Sequence, residues 1–385
     1  MAWTYRVTSG LVDTSDSFSD EMVIDMSNEI ADLDVDEAQF TTMLMKLPST
    51  PARAVKVNWL EDSFLPNYTT VATSATSIAT NIAVASSTGN YFVAGDVVRN
   101  VTKGDAMIVT ATYTSSIDVT RAQGSATASA AATGDVLLIV GQASAQGSDL
   151  PSARQTLKQS NYNYCQLLRR HAQWTNTNLA VDHYGPDLVA REKGKALVEH
   201  KRQIEQTFFF GARNLITTGS EPQGLCGGLY DFVTSNVTNV GGTLAATALD
   251  SALETIYAHG SKNKAMFVGP KARRAISNFL RDAWQPNSVG DKKYGAVVDG
   301  YIVSAYGTDV PVFVKRNWND IGHAGTIFVV DLEYVRARPL RPTKYVPLDF
   351  ERLSGADKFS FEYKTETSLQ VGQESVHGRL YGITG

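Results

Sequence analysis

Eighty consecutive residues, Thr69 to Ser148, differ in kind from the rest of this chain: 56 of them are Ala, Ser, Thr, Gly or Val, and only seven are charged. That shift constrains the fold more than any other feature, because it reads as a separate unit inserted into an element that starts before it and resumes after it. Within it, β-branched and apolar runs (Tyr91-Phe-Val, Val97-Val98, Met107-Ile-Val-Thr, Ile117-Asp-Val-Thr, Val136-Leu-Leu-Ile-Val) alternate with Gly89-Asn90, Gly95-Asp96, Lys103-Gly104-Asp105 and Thr133-Gly134-Asp135. Those are turn signals at the spacing of a small all-β barrel or sandwich. The low complexity is also compatible with a floppy linker. On the near side, Val55, Val57 and Trp59 alternate with Lys56 and Asn58 as in a half-buried strand; on the far side, the stretch after Pro151 is again strand-like, with Tyr162 and Tyr164 on one face. The flanking strands can pair as a long hairpin. A two-stranded ribbon is marginal alone in water, so it should lean on something else, most simply another subunit.

The amino-terminal region has its own character. Between Arg6 and Lys46 there is no Lys or Arg but there are ten acids, among them Asp13, Glu21, Glu29 and Glu37. Its apolar residues (Met22, Val23, Ile24, Met26, Ile30, Leu33 and Val35) are too few for a private core, so this acidic arm is expected to dock on a neighbouring copy. A helix folded back on its own subunit is the alternative. The net charge of the 385 residues is only -4, which offers no general attraction to nucleic acid or to an anionic membrane.

After the hairpin, Gly185-Pro186-Asp187 opens the longest helical pattern, which the periodicity runs to about Thr217 with Leu197, Ile204, Phe208 and Leu215 as its buried stripe. From Thr243 the pattern is α/β: helices at Ala248–Ala258 and Pro270–Trp284, and strands at Ala265–Val268, Tyr301–Ala305, Val310–Val314, Thr326–Val330 and Val335–Leu340. The alternations Phe359-Ser-Phe-Glu-Tyr and Thr365 to Val371, then Arg379-Leu-Tyr-Gly-Ile, read as paired antiparallel strands closing the fold.

Catalytic constellations are wanting. The histidines (His171, His183, His200, His259, His323, His377) are scattered, with no HExxH and no i, i+4 pair, and read as core or surface residues. Asp32-x-Asp34-x-Asp36 starts like a calcium loop, but Glu37 stands where glycine is needed and Met43 where the bidentate glutamate belongs. Gly224-Leu-Cys-Gly-Gly follows a helix instead of a strand, so it reads as a turn and not a phosphate cradle. Cys165 and Cys226 lack any CxxC spacing and suit a reducing compartment. No catalytic, cofactor-binding or metal-binding residues are assigned, and an enzyme is not expected. No apolar run approaches the twenty residues of a membrane span, and the start has no charged then apolar signal segment.

The order of these parts resembles the major capsid proteins of tailed phages with the Hong Kong 97 fold. The residues that carry the likeness are Glu205-Gln-Thr-Phe-Phe-Phe-Gly211 with Glu221-Pro-Gln-Gly-Leu225, Val57-Asn-Trp59-Leu-Glu61-Asp62, Ile327-Phe-Val-Val-Asp331 with Arg338-Pro-Leu-Arg-Pro342, and the ending Glu366 to Gly378. The resemblance implies an α+β, HK97-like capsid fold divided into an acidic N-terminal arm (1–49), an extended-loop hairpin (50–69 and 149–184), an inserted small all-β domain (70–148), the spine helix of a peripheral domain (185–225), an axial α/β domain (226–340) and closing strands of the peripheral domain (341–385). It implies a structural subunit that assembles in the host cytoplasm into hexamers and pentamers of an icosahedral head, enclosing double-stranded DNA that it contacts only non-specifically. No cofactor and no membrane are implied; portal, scaffolding or decoration proteins are further partners in such heads. On the hairpin, Trp59, Glu61, Asp62, Arg169, Arg170 and Trp174 are candidate assembly contacts. No long region precedes the arm, so a fused scaffolding segment is not expected. An encapsulin-like compartment shell, built on the same fold around an enzyme cargo, is the alternative reading.

Overall fold

A computed structural model describes residues 38–182, 187–279, 309–349 and 355–384, with the short strand segments Trp284–Gln285, Lys292–Lys293, Ala296–Val297 and Gly300–Val303. The acidic arm to Glu37, its Asp32-x-Asp34-x-Asp36 spacing, His183 and the Gly185-Pro186 step lie outside the described residues. The chain forms two compact units, Leu60–Asn161 and the remainder. The inserted unit is therefore wider than the composition boundary at 70–148, because its flanks carry ordinary charge (Glu61, Asp62, Asp149, Arg154 and Lys158) and composition does not mark them.

In Leu60–Asn161 the strands run in the order Tyr68–Thr70, Val136–Gln142, Asp96–Asn100, Ala106–Tyr113, Ser116–Thr120, Asn81–Ala83. A bridge between Val71 and Val84, with the Ala72 N–H donating to the Ala83 carbonyl at 2.9 Å, joins the first edge to the last. The sheet is thus closed into a small barrel, which removes its free edges. Alternate residues point inward, and Ile82, Val98, Met107, Ile117 and Leu137 form the sealed centre. Three turns share one design. Gly95, Gly104 and Gly134 take φ of 91°, 79° and 89°, which favours glycine, and each is followed by a buried aspartate. Asp96 accepts the Val93 N–H at 2.9 Å and Arg154 at 2.6 Å; Asp105 pairs with Arg121 at 2.7 Å. Asp135 accepts from the Asn100 amide at 3.0 Å and the Ala132 N–H at 2.9 Å, and those bonds hold its carboxyl below the ordinary value.

The other unit is organised by the helix Leu188–Phe210. Asp187 caps it, accepting the Val189 and Ala190 N–H groups at 2.8 and 2.9 Å, so Asp187 stands at the N-cap and not inside the first turn. At 1.5 Å per residue the helix is about 35 Å long. It stops at Gly211 and not near Thr217: a Cβ on Gly211 would lie 2.6 Å from the Thr207 carbonyl and collide with the Cys226 carbonyl. Beyond it Asn214–Ile216 is extended and pairs with Gln223–Leu225. The buried face is Ala196, His200, Ile204 and Phe208 at a spacing of four, with Glu205 and Phe209 beside it; Leu197 is only half-buried and Leu215 belongs to the strand.

That helix packs on a mixed seven-stranded sheet, in the order Val237–Gly242, Gly378–Ile383, Ile327–Asp331, Lys264–Val268, Asp309–Val314, Gly300–Val303, Trp284–Gln285. Lys264–Val268 is central, antiparallel to Ile327–Asp331 and parallel to Asp309–Val314. One face carries the helices Ala246–Tyr257 and Pro270–Phe279 over Met266, Val268, Val312 and Val329. Trp284 is in a strand paired with Ile302 instead of ending the preceding helix. The closing segments separate: Arg379 to Ile383 enter this sheet, whereas Lys358–Val371 forms one strand between Gln166–Thr175 and Val335–Asp349. Residue 340, read from the sequence as a boundary, falls inside the continuous strand Val335–Asp349. That strand is an edge, the place in a sheet where prolines such as Pro339, Pro342 and Pro347 are tolerated, and its register shifts between Pro339 and Arg341 and again before Lys344. Lys56–Glu61 and Gln159–Tyr164, the strands flanking the insert, pair as a two-stranded ribbon.

Candidate assembly surface

The helix Gln39–Lys46, where the acidic arm joins the described chain, has no side-chain cap of its own. Its cap comes from the long helix. Glu205 accepts the Phe40 N–H at 3.2 Å and the Thr41 N–H at 2.8 Å, and the same carboxylate is paired with Lys315. Glu205 and Lys315 are both buried, so three elements distant in sequence meet at one ion pair whose partners are satisfied together. Below it Phe209 is ringed by Phe40, Trp318, Phe267 and Phe328, with ring centroids at 4.8, 5.0, 5.3 and 5.6 Å. The sequence reading names Glu205 only as the first residue of the Glu205–Gly211 motif, with no ion pair assigned, and does not mark Lys315. The available signal was a glutamate between Ile204 and Phe208 on the apolar side of a helix, where an unpaired charge is not tolerated.

Between this short helix, the long helix and the bulged strand runs a groove of about 310 Å³. Its walls are apolar, made by Leu44, Met45, Ile204, Phe208, Pro339 and Pro342, with the hydroxyls of Thr41, Thr343, Thr365 and Thr367 among them. Thr41 is buried and its Oγ1 has no hydrogen-bond partner among the described residues. Behind the groove, His200 Nε2 bonds Thr365 Oγ1 at 2.7 Å, and burial lowers the pKa of His200, which keeps it neutral.

The candidate contacts of the hairpin fall in different places. Trp59 is 7% exposed and its ring lies 5.9 Å from that of Phe232, so its side chain belongs to this subunit's own core and is not available to a neighbour. Asp62 is exposed and accepts from the Ser63 N–H and the Thr156 hydroxyl, both at 2.9 Å; Glu61 next to it is half-buried. The other three lie together on the outer strand Gln166–Thr175. Arg169 donates to the buried Glu362 at 2.7 Å, Arg170 pairs with Glu199 of the long helix, and Trp174 is half-buried against Phe359 and Phe361 at 6.4 and 5.7 Å. Burial alone would raise the Glu362 carboxyl, but Lys364 and Arg169 outweigh it and hold the group below its ordinary value.

The residues weighed for chemistry are structural. Gly224 and Gly228 lie where a Cβ would strike the chain's own backbone, and the N–H groups of Cys226, Gly227 and Gly228 already donate to Gln166 at 3.0 Å, to Asn163 at 2.8 Å and to the Gly211 carbonyl at 2.8 Å instead of being offered to a phosphate. Burial raises the Cys165 thiol to about 11 and the Cys226 thiol to about 12, which leaves both poor nucleophiles. Lys264, Asp331 and His377 form a sealed network in which Lys264 Nζ donates to Asp331 at 3.0 Å and to the Val376 carbonyl at 3.1 Å, while His377 Nδ1 accepts the Asp331 N–H at 3.1 Å. Burial lowers the pKa of His377 to about 4. Among the described residues no group of three or more His, Cys, Asp or Glu could hold a metal ion, and no helix is long and apolar enough to cross a membrane.

A model of the family described as SU10 major capsid protein matches residues 7–384. Among solved structures, the capsid of a native GTA particle matches with a TM-score of 0.51 at 10% identity, covering 95% of this chain and 97% of that one. A structure of Mycobacterium phage Bobi matches with a TM-score of 0.50 at 10% identity, over 95% and 97%. One of Mycobacterium phage Adephagia matches with a TM-score of 0.50 at 10% identity, over 94% and 95%. No curated protein sequence matches. At such identities the likeness is one of fold, and the fold is the HK97-like one.

Proposed function

The chain belongs to the SU10 major capsid protein family, and on that premise we propose that its copies close into an icosahedral head of hexamers and pentamers around double-stranded DNA. It is a structural subunit of a phage head shell. Its work is mechanical: no reaction is part of the reading, and assembly takes place in the host cytoplasm before the shell becomes part of the virion. The hairpin, residues 50–69 and 149–184, lies across one neighbour and the acidic arm under another. Glu61, Asp62, Arg169, Arg170 and Trp174 supply polar and aromatic contacts along it. Each contact is weak alone, but in a closed shell every copy is held by several neighbours at once. Portal, scaffolding or decoration proteins join at positions where the symmetry is broken or the outer surface is free.

The observation that carries the lateral contacts is the apolar surface of Leu60–Asn161 outside its barrel core. Phe64 is 100% exposed, Leu150 96%, Leu157 82% and Leu60 68%. Several large apolar side chains left bare on the two segments flanking an insert mark a surface that another chain covers. The substitution Phe64→Asp tests it, since that side chain is outside the core. The variant is expected to fold, by circular dichroism, and to lose at least tenfold in particle yield; particles at the parental yield would refute the lateral role. The contents of particles separate a head from a cargo compartment, with encapsidated nucleic acid expected here.

A further inference from the structure

Apart from the way copies meet, we propose that the surface centred on Arg379 and His323 binds phosphate groups of a nucleic-acid backbone. The Arg379 guanidinium carbon stands 3.8 Å from the centre of the Tyr230 ring and 5.4 Å from that of Tyr381, and both tyrosines are exposed. Its Nη1 donates to the Tyr230 carbonyl at 3.3 Å, while Nε is buried with no acceptor and no carboxylate pairs with the group among the described residues. A guanidinium held by aromatic rings but lacking an anion is prepared to receive one, and its planar fork of donors matches the oxygens of a phosphate.

His323 stands beside it. Its ring stacks on Phe210 with centroids 4.2 Å apart and meets the Tyr230 ring at 6.1 Å. Burial and then the charge of Arg379 lower its pKa, and no acid opposes them. The carboxylate nearest in sequence to Tyr230, Asp231, is turned to another task, accepting the Arg213 N–H at 3.2 Å.

Backbone hydrogen bonds bring further cations to the same place. The His323 N–H donates to the Trp318 carbonyl at 3.0 Å, in the turn that Arg316 begins, and the Lys271 N–H at the start of the helix Pro270–Phe279 donates to the neighbouring Ala324 carbonyl at 3.0 Å. Lys271, Arg274 and Arg316 are exposed and form no ion pair among the described residues. Along residues 270–279 and 315–326 the only acid is Asp320. The chain's net charge of -4 hides this face, because ten of its acids lie ahead of Lys46. Bases spread over three segments, instead of gathered in one pocket, suit a polymer that offers a phosphate at every step more than a single ion.

Fluorescence anisotropy of a labelled DNA duplex, titrated with the purified full chain as unassembled subunits, tests the site. Arg379→Gln is expected to weaken binding at least fivefold and to reduce the slope of log affinity on log salt by about one, whatever the duplex sequence. Arg379→Lys keeps the charge and should keep the slope. Because Arg379 also covers aromatic rings, circular dichroism is recorded for each variant; should Arg379→Gln fail to fold, the exposed Arg274→Gln decides in its place, with the same expected loss. Affinity within twofold of the parent in the deciding variant, or a parent that does not bind the duplex, overturns the site. Inorganic polyphosphate should displace the duplex at least tenfold better than poly-glutamate at equal charge; equal displacement overturns the assignment to phosphate in favour of carboxylates on a neighbouring copy. Particle yield is scored separately and is expected to stay at the parental level, so failure of this site leaves the shell reading standing.

Discussion

Replacing Glu205 by Gln should free the helix Gln39–Lys46 while leaving the rest of the subunit folded. The carboxylate holds two backbone donors, at 3.2 and 2.8 Å, and the ammonium of Lys315. Glutamine keeps one acceptor oxygen but turns an NH2 toward groups that can only donate. Lys315 is 1% exposed, so it loses the carboxylate that balances its buried charge, and breaking such a pair costs about 3–5 kcal/mol. Orphaned Phe40 and Thr41 N–H groups work in the same direction, each by about 1–3 kcal/mol, though the terms overlap and do not add. An eight-residue helix has no stability of its own to absorb the loss. Hydrogen exchange read by mass spectrometry should therefore show amides of residues 43–47 exchanging about a hundredfold to a few thousandfold faster, at about 1.4 kcal/mol per tenfold. The central strand Lys264–Val268 should be unchanged. Adding Lys315→Met removes the stranded charge and should recover part of the protection. Exchange within threefold of the parent, or acceleration spread evenly over the body, would refute the reasoning that this one carboxylate fastens the amino-terminal helix.

The buried network predicts a pH dependence. His377 titrates near 4 in the fold and near its ordinary 6.5 when unfolded, so the unfolded chain takes up its proton first as pH falls. The contribution is complete above pH 6.5 and lost progressively toward pH 4, on the order of 3 kcal/mol in all; urea midpoints of the parent should fall more steeply across that window than those of His377→Gln, and parallel curves would count against it. In the inserted barrel, Asp105→Ala leaves Arg121, 5% exposed, facing the neutral Thr76, Ala79 and Ser129 carbonyls without its carboxylate, for a loss of about 3 kcal/mol. Limited proteolysis should then cut between residues 68 and 142 while particle yield is kept; equal resistance of parent and variant would show that the ion pair contributes little.

What the sequence makes legible is local. The Gly-Asp pairs announce turns because a positive φ and a short polar side chain are demands of neighbouring residues, and the barrel follows from alternation between them. The role of the aspartates is not local: Asp96 is answered by Arg154 from beyond the last barrel strand. Nor is the end of the long helix, since apolar spacing carries on to Leu215 and what stops the helix is the approach of Gly211 to Cys226. Trp59 looked like a contact for a neighbour because its partner, Phe232, lies far along the chain. The boundary that the sequence reading sets at residue 340 falls inside Val335–Asp349, an edge strand that stays continuous through its prolines with shifts of register. Groove and ion pair are both invisible to that reading for the same reason: the ion pair joins three segments and the groove four, at distances in sequence that exceed any periodicity.

The claim on which the rest depends is that this polypeptide completes its surface with copies of itself. Electron microscopy of the purified full chain, expressed with no other head protein, tests it most directly. Closed shells of uniform diameter, with hexameric and pentameric clusters in class averages, are the expected result. A population of single compact molecules at every protein and salt concentration tried would contradict it.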